Sequence, residues 1–469
     1  MHVEYDVVVA GGGPAGLLAA IETADAGLRT ALIEARTELG GSGALAAGQT
    51  VLCETELEPA SRELLLEDLR RAHDFDHDDR LARLYVDEAG DTYRRLTELG
   101  VHFARSVQLA HMSRPWAHEV PIGEPGGAAI VARLHRAALE RGVVIEKSCR
   151  LRRLLREAGR VAGVVVTRGE AEAPEESIAA RAVVLATGGF TRNRELIRTY
   201  APPAAATIRP ITGEASKGDG LLAAMHLGAG TAYLAAGVMP TAPVDPVTEK
   251  GTLIFYCGGI VLNADGRRFI SESEVYSRIS AAAMSQPGGV MVHVYDAECK
   301  RRFAKTLWAS VDSLTGYQEI EAPTINELLA KVAATTSWSV EAAEQTVATY
   351  NRAIRTGAAD EVGRTRLTGR TGELFTLTTP PYFAVVTVPG TTHFNGGLLV
   401  DAQLRVLDVF GSPLVGLYAA GEIVGGFHGA GYMSGTQWGQ AVVFGRSAGR
   451  SVAGELTQGG SGSTRAGRA

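Results

Sequence analysis

The residues with the clearest chemical use lie near the N-terminus, where Gly11, Gly13 and Gly16 form a Gly-x-Gly-x-x-Gly motif. Glycine at these positions allows a tight turn, a close approach of backbone to a pyrophosphate, and close packing of a helix on a strand. The N–H groups that begin the next helix then face the phosphates. Glu34 ends the following strand pattern, where a carboxylate can accept both hydroxyls of a ribose. This spacing predicts a dinucleotide site.

A second run of small residues decides between the two common dinucleotides. The chain between Glu38 and Gly48 is rich in Gly, Ser and Ala, which lets the backbone approach a bulky flat ring. NAD-binding folds do not need such a loop, so we predict FAD. A second Gly-x-Gly-x-x-Gly motif after a strand is missing from the sequence, which argues against a separate NAD(P)H domain.

His73 and His77 with their neighbouring acids look like metal ligands, because His side chains at i and i+4 share a helix face. The segment opens a helical stretch, however, where acidic residues ordinarily serve as caps. We therefore predict no metal. The four cysteines lie far apart without a CxxC spacing, so we expect no zinc site, iron–sulfur cluster or disulfide framework.

The elements that must position these groups alternate between strand and helix. The order of strand, glycine turn, helix and strand opens a parallel, doubly wound sheet, which is an α/β fold. The predicted strands are 5–10, 30–33, 143–166 and 182–186, and the predicted helical stretches are 17–26, most of 61–140, and 340–355. The sequence character changes between about 235 and 375, where short strands and helices alternate.

This organisation predicts a discontinuous FAD-binding domain formed by residues 1–235 and 376–458. Residues 236–375 are then an inserted capping domain that contributes to the substrate site. The Gly/Ser/Arg-rich segment 459–469 is predicted to be a disordered tail.

Charge and hydropathy exclude several classes of partner. The chain has 46 Lys and Arg against 52 Asp and Glu, a net charge of −6, and lacks a basic tail, which argues against nucleic-acid binding. Its apolar runs are too short for a membrane span. Glu4 and Asp6, not basic residues, precede the first apolar stretch, so a secretory signal is not expected. We predict a cytoplasmic protein.

Motifs along nearly the whole chain resemble the flavoprotein family of fumarate reductases, succinate dehydrogenases and 3-ketosteroid Δ1-dehydrogenases. They occupy residues 6–16, 184–190, 217–220, 259–269, 396–397, 416–422 and 444–446. The resemblance implies a glutathione-reductase-type, Rossmann-like FAD-binding domain. It also implies an inserted α+β capping domain that covers the flavin.

The resemblance further implies where FAD lies. Asp219 should lie near the cofactor, Gly421 and Glu422 near the ribityl chain, and 435–438 against the pyrimidine end of the flavin. Membrane-bound relatives attach FAD through a His in the loop after the second strand, and residues 40–50 contain no His, so we expect noncovalent FAD. The predicted FAD-binding residues are Gly11, Gly13, Pro14, Ala15, Gly16, Glu34, Ala35, Gly41, Ser42, Gly43, Ala47, Gly48, Leu151, Ala186, Thr187, Gly188, Asp219, Gly421, Glu422, Gly435, Gln437 and Trp438.

Three positions depart from the fumarate reductase pattern. The family's His-Pro-Thr becomes a Met-Pro-Thr that begins at Met239, its His before the Gly-Gly pair becomes Thr392, and its Arg after His-Gly-Ala-Asn becomes Tyr432. A dicarboxylate needs charge-assisted, often bidentate bonds, so we predict a different substrate. The alternative is that anchors shifted by a residue or two, such as His393 and Arg278, still serve.

The segment from Arg268 to Tyr276 is similar to the Arg-Phe-x-Asn-Glu-Ser-x-Pro-Tyr segment of the ketosteroid dehydrogenases. In that family the Tyr takes a proton from carbon while hydride leaves for flavin N5, so the resemblance assigns this role to Tyr276. A phenol has an ordinary pKa near 10 and needs a neighbour to lower it, which Arg278 could do. The family's enolate-binding Gly matches Gly435, and its Tyr falls one place from Tyr432.

His393 precedes a Gly-Gly pair expected to face the flavin, and His is the side chain that titrates near neutrality. We therefore predict four catalytic residues, namely Tyr276, Arg278, His393 and Tyr432.

The predicted activity is hydride transfer between flavin N5 and a carbon of a C–C or C=C bond next to a carbonyl. The substrate is expected to be a small molecule other than a dicarboxylate, and cyclic or steroid-like structures are candidates. Two alternatives stay open: a reductase of an unsaturated carboxylate with rearranged anchors, and a flavoprotein electron-transfer subunit of a complex. The sequence encodes no CxxCH haem motif, so we expect an external electron donor or acceptor, which could be O₂, a reductase or a diffusible carrier.

Overall fold

The fold consists of two large sheets, two smaller sheets and the helices around them. The computed structural model describes residues 4–109, 112–169, 173–201, 208–235, 242–310, 318–336, 338–367, 372–429 and 431–458. The strands are β1 Tyr5–Ala10, β2 Thr30–Ile33, β3 Thr50–Val51, β4 Arg105–Val107, β5 Ala117–Glu119, β6 Val144–Glu146, β7 Cys149–Glu157, β8 Arg160–Arg168, β9 Glu175–Leu185, β10 Arg209–Pro210, β11 Thr231–Ala232, β12 Ala242–Val244, β13 Ile260–Leu262, β14 Met291–Asp296, β15 Ile320–Ala322, β16 Tyr382–Thr391, β17 Gly397–Leu398, β18 Arg405–Leu407 and β19 Pro413–Ala419. The helices are α1 Pro14–Asp25, α2 Gly41–Leu45, α3 Arg62–Ala72, α4 Asp79–Glu98, α5 Gly127–Glu140, α6 Arg194–Tyr200, α7 Asp219–His226, α8 Tyr276–Met284, α9 Ala297–Phe303, α10 Ile325–Ala333, α11 Val340–Thr356 and α12 Thr436–Gln458.

The eight-stranded sheet takes strands from both ends of the chain. Its order is β18-β19-β9-β1-β2-β6, and β8, which pairs with β9, carries β7. Strand β1 lies parallel between β2 and β9, with Val8 opposite Ala31 on one side and Val183 on the other. Val8 is fully buried, as expected for a parallel strand covered on both faces. The predicted α/β fold is confirmed.

Helix α12 packs along α1 at short range. A Cβ at Gly445 would lie 2.4 Å from the carbonyl oxygen of Ala15, and one at Gly449 would lie 2.7 Å from that of Ala19. The two backbones can approach this closely because both positions lack a side chain. Since α12 begins at Thr436, this packing holds the segment before α12 beside the glycine turn before α1.

A six-stranded sheet forms the core of the capping unit. Its order is β10-β16-β14-β13, and β12 and β15 also pair with β16. Strands β14 and β16 pair antiparallel from Met291 opposite Thr387 to Asp296 opposite Tyr382. Strands β10 and β16 lie outside the predicted limits of 236–375, so we propose that this unit also includes residues 209–210 and 382–391.

The predicted elements agree with the structure where they are long or tightly bounded, as in β1, β2 and α11. Within 61–140 the helical prediction missed β4 and β5, which join β3 in a three-stranded sheet. These strands are too short to show an alternating pattern. Two predictions, the tail at 459–469 and the replacement at Met239, lie outside the described residues. Among the described helices, we found none with the length and apolar character of a membrane span.

Candidate active site

A cavity of about 860 Å³ runs from the glycine turn at the start of α1 to the capping unit. Every predicted FAD-binding residue except Gly16 lines it. Tyr276, His393 and Tyr432 line the same cavity, whereas Arg278 does not. The volume lies within the range of about 300–1,000 Å³ that is usual for small-molecule and cofactor sites.

The glycine turn leaves room for a bound group at Gly13. Gly13 is the N-cap of α1, with φ −75° and ψ 178°, and Pro14 follows at the first helical position. A Cβ at Gly13 would meet only the carbonyl oxygen of Gly40, at 3.8 Å. A Cβ at Gly16 would instead lie 1.9 Å from the carbonyl oxygen of Gly11, so Gly16 serves the packing of turn against helix. The predicted pyrophosphate position is therefore open to the cavity.

Glu34 is held in place at the end of β2 by two backbone bonds. One carboxylate oxygen accepts from the N–H of Gly12 at 2.8 Å, and the other accepts from the N–H of Arg36 at 2.8 Å. Burial raises the pKa of Glu34, and these two bonds oppose the rise. Each oxygen keeps a further lone pair, so acceptance from ribose hydroxyls stays possible.

Two buried polar groups on the cavity wall fit an FAD site. The hydroxyl of Thr187 and the side-chain amide nitrogen of Gln437 lack a hydrogen-bond partner among the described residues. Buried polar groups are nearly always bonded, so a ligand with acceptor atoms is the expected partner. FAD supplies such atoms, and the open position at Gly13 matches its phosphates.

Tyr276 and Tyr432 form a pair of neighbouring rings at the capping-unit end of the cavity. Their ring centroids are 6.2 Å apart. The hydroxyls of Tyr432 and Ser434 act on Tyr276 in the direction that lowers its pKa, and the Gly435 N–H acts in the same direction on Tyr432. Burial raises the pKa of Tyr276, and these two hydroxyls oppose the rise. Burial and the neighbouring Tyr276 raise the pKa of Tyr432 well above its ordinary value.

His393 is buried beside this pair. Its ring centroid is 4.4 Å from that of Tyr432, and its Nδ1 is 2.8 Å from the Thr392 hydroxyl. Burial lowers the pKa of His393 to about 3. The ring is therefore neutral at physiological pH and can donate or accept a hydrogen bond without adding charge to the site.

The structure separates Arg278 from the other predicted catalytic residues. Its side chain is 53% exposed and lies 3.9 Å from Glu274 and 4.0 Å from Asp74. The groups that oppose the high pKa of Tyr276 are Tyr432 and Ser434, not Arg278. The catalytic role predicted for Arg278 is therefore not supported by its position.

Sequence reasoning missed a contact between the residue that follows the small-residue loop 38–48 and the capping unit. The indole N–H of Trp308 donates to the side-chain oxygen of Gln49 at 3.2 Å, and both residues line the cavity. Gln49 is also bonded to Glu119 at 2.5 Å. Gln49 and Trp308 are far apart in sequence, so a local sequence pattern cannot indicate their contact.

Glu422 lies on the cavity wall and gives a pH-dependent contribution to stability. One of its oxygens accepts from the N–H of Phe394 at 3.2 Å. Burial raises its pKa from 4.5 to about 7, although backbone bonds from Phe394 and Gly189 oppose the rise. The folded protein thus holds this proton between pH 4.5 and about 7, where the unfolded chain has lost it.

We expect the free energy of unfolding of the flavin-free protein to fall as pH rises through this window. Glu422 contributes about 2 kcal/mol to the fall, after allowance for its partial exposure to the cavity. In Glu422→Gln this contribution is lost, so the difference in stability between the variant and the wild type changes between pH 5 and 7.5. Urea unfolding at the two pH values measures it, and parallel pH profiles for both proteins would contradict the assignment.

The fold and the cavity together define a flavoprotein with an FAD-binding unit and a capping unit. Residues 6–437 match the family described as FAD binding domain. The match covers most of the chain, so the protein belongs to this family and is an FAD-dependent oxidoreductase.

Two groups of relatives stand out. A fumarate reductase (cytochrome) of Shewanella frigidimarina is 29% identical over 96% of this chain and 77% of its own length. The open conformation of a flavocytochrome c3 fumarate reductase superposes with a TM-score of 0.80 at 27% identity, over 96% of this chain and 78% of that one.

The second group consists of dehydrogenases of cyclic ketones. A 4-oxocyclohexanecarboxylate 2-dehydrogenase of Sinomonas cyclohexanicum is 27% identical over 96% of this chain and 93% of its own length. The 3-ketosteroid-Δ4-(5α)-dehydrogenase of Rhodococcus jostii RHA1, in complex with 4-androstene-3,17-dione, superposes with a TM-score of 0.73 at 25% identity. That match covers 96% of this chain and 97% of the other.

Proposed function

We propose that this protein adds hydrogen to, or removes it from, a carbon–carbon bond next to a carbonyl, and that its substrate is cyclic and weakly charged. Steroid-like ketones belong to this class. The observation that carries the proposal is the ring contact between Tyr276 and Tyr432 in the cavity that the predicted flavin residues line. The reaction moves a hydride and a proton, and this pair provides the group for the proton.

The neighbours of Tyr276 partly offset the burial that disfavours negative charge on its oxygen. FAD, when bound, supplies the hydride chemistry. Tyr276 accepts a proton from the carbon beside the carbonyl in dehydrogenation and returns one in reduction. The neighbouring hydroxyls of Tyr432 and Ser434 stabilise its phenolate, and the Gly435 N–H acts in the same direction on Tyr432. Tyr276 is also the first residue of α8, where the helix dipole favours negative charge.

The charged groups of the cavity support a weakly charged substrate. Arg36 pairs with Glu214 at 2.6 Å, and Arg192 lies 3.5 Å from Glu249. Lys250, a further basic residue among the described residues of the cavity wall, also has an interaction partner. A dicarboxylate would have to displace these partners, whereas a ring ketone needs only the neutral donors of the tyrosine pair. Both dehydrogenases described above act, by name, on cyclic ketones, and the ketone of one of them also carries a single carboxylate.

Reoxidation of the anaerobically reduced enzyme tests the proposal. We expect 2-cyclohexen-1-one or 4-androstene-3,17-dione to restore the oxidised flavin spectrum, and fumarate to leave it unchanged. Reoxidation by fumarate alone would overturn the proposal in favour of an unsaturated-carboxylate reductase. Failure of every small molecule, with turnover by an added protein fraction, would favour an electron-transfer subunit.

Three finer features belong to the same proposal. The loop at 40–50 lacks a His, which supports noncovalent FAD. The electrons come from or go to an external carrier, a reductase or O₂. A cytoplasmic location is proposed from the sequence alone.

A further inference from the structure

Four histidines form a continuous row of rings that ends at the tyrosine pair. The centroid distances are 5.3 Å from His77 to His73, 5.3 Å from His73 to His428, and 6.1 Å from His428 to His393. Tyr432 then lies 5.4 Å from His428 and 4.4 Å from His393. We call these four residues the histidine row. They come from the turn between α3 and α4 and from two segments beside the cavity.

The two outer members of the histidine row are unusual for buried side chains. His73 is 0% exposed, and neither of its ring nitrogens has a hydrogen-bond partner among the described residues. The same holds for both ring nitrogens of His77, whose side chain is 4% exposed. An apolar side chain would fill these positions without the cost of unpaired polar atoms. A role in packing alone therefore does not account for them.

One end of the histidine row reaches the surface. The Nε2 of His77 is 3.8 Å from a carboxylate oxygen of Asp79, whose side chain is 43% exposed. Arg70, Asp76 and Asp78 are the other charged groups that act on His77. The groups that face His73 and His428 are members of the row and the rings of Phe427 and Tyr432.

The inner members of the histidine row are bonded to the protein at one nitrogen. The Nε2 of His428 is 2.8 Å from the Thr436 hydroxyl, and the Nδ1 of His393 is 2.8 Å from the Thr392 hydroxyl. Burial lowers the pKa of all four rings, that of His73 to about 3. Neutral imidazole has one donor and one acceptor nitrogen, so His73 and His77, with both nitrogens unpartnered among the described residues, can receive a proton on one side and release one on the other. The inner rings do so only when the bond to the threonine hydroxyl is exchanged.

We propose that the histidine row is a proton relay between solvent at Asp79 and the Tyr432–Tyr276 pair. The inference rests on the proposed function, because it supplies the proton that Tyr276 gives to carbon. In reduction, one proton enters at His77, one leaves the row to Tyr432, and the Tyr432 hydroxyl proton passes to the Tyr276 phenolate. The relay involves no oxidation, and dehydrogenation reverses the direction. Ring rotation is needed at each transfer, because no direct hydrogen bond joins neighbouring rings of these described residues at centroid distances of 5.3 to 6.1 Å.

The relay predicts that His73 matters after the first turnover and not during it. Tyr276 begins with its own proton, so a reduced enzyme mixed with one equivalent of enone needs no resupply. We expect His73→Phe to keep this single-turnover rate within about twofold of the wild type. Steady-state turnover with reduced methyl viologen as electron donor should fall about tenfold or more, because reprotonation becomes limiting. Added imidazole should restore part of the lost rate.

His73→Gln tests the same step if the Phe variant fails to fold, since Gln keeps a donor and an acceptor but cannot pass a proton through. His102→Gln, at an exposed histidine outside the row, is the matched control.

Equal loss in both rates would show a structural effect and overturn the relay, as would unchanged steady-state turnover. If 2-cyclohexen-1-one fails to reoxidise the wild type, the proposed function fails first, and the relay is then judged by the same two rates with fumarate. Failure of both acceptors with the wild-type enzyme would remove the relay as well.

Discussion

Tyr276→Phe is expected to lower kcat by about 10²–10⁴-fold, the usual contribution of a general acid or base. The substitution removes one oxygen, and with it the group on which the hydroxyls of Tyr432 and Ser434 act. The ring still fills its place against Tyr432. FAD content should stay at the wild-type level, because the predicted cofactor contacts are made by other residues. Stopped-flow measurement of flavin reoxidation by the accepted enone reports the loss directly.

Tyr382→Phe is the matched control for this prediction. Tyr382 begins β16 and is not among the residues that line the cavity, so its loss of a hydroxyl should leave kcat within about twofold. A Tyr276→Phe variant with the same kcat as the wild type would show that another group carries the proton. A variant that also loses its flavin would show that Tyr276 shapes the cofactor site instead.

The contrast between Tyr276 and Arg278 shows how far sequence reasoning reached in the site. Tyr276 ends the segment that resembles the ketosteroid dehydrogenases and Arg278 follows two residues later, so sequence distance alone cannot separate them. In the structure both belong to α8, where each residue turns the direction of the side chain by about 100°. Residues two apart on a helix therefore point nearly opposite ways. Tyr276 faces the cavity, and Arg278 faces Asp74 and solvent.

Local patterns predicted the cofactor half of the site better than the substrate half. The glycine turn and the small-residue loop depend on backbone geometry that a few neighbouring residues determine. The capping unit depends on strands β10 and β16, which flank it in sequence and pair only in the folded chain. Local patterns also could not predict the Trp308–Gln49 bond or the histidine row, because each joins segments that are distant in sequence.

Gly13→Val is expected to weaken FAD binding about 100-fold, or about 2.7 kcal/mol, while the protein stays folded. Gly13 has φ −75° and ψ 178°, a conformation that any L-residue adopts without strain. Its Cβ would meet only the Gly40 carbonyl oxygen, at 3.8 Å, so the protein itself accommodates the side chain. The methyl groups instead enter the space where a pyrophosphate must approach the backbone. Fluorescence titration of the flavin-free protein with FAD measures the loss.

Gly454→Val carries the same substitution in α12, where a Cβ would meet nothing within 4 Å, and should bind FAD as the wild type does. Thermal unfolding of the flavin-free proteins separates a blocked site from a damaged fold, because Gly13→Val should unfold within a few degrees of the wild type. Wild-type affinity in Gly13→Val would place the phosphates elsewhere.

Gly16 has the opposite character, since its Cβ would lie 1.9 Å from the Gly11 carbonyl oxygen, so a substitution there damages the turn before any cofactor is bound. The two glycines of one motif thus act at different stages, one in folding and one in binding.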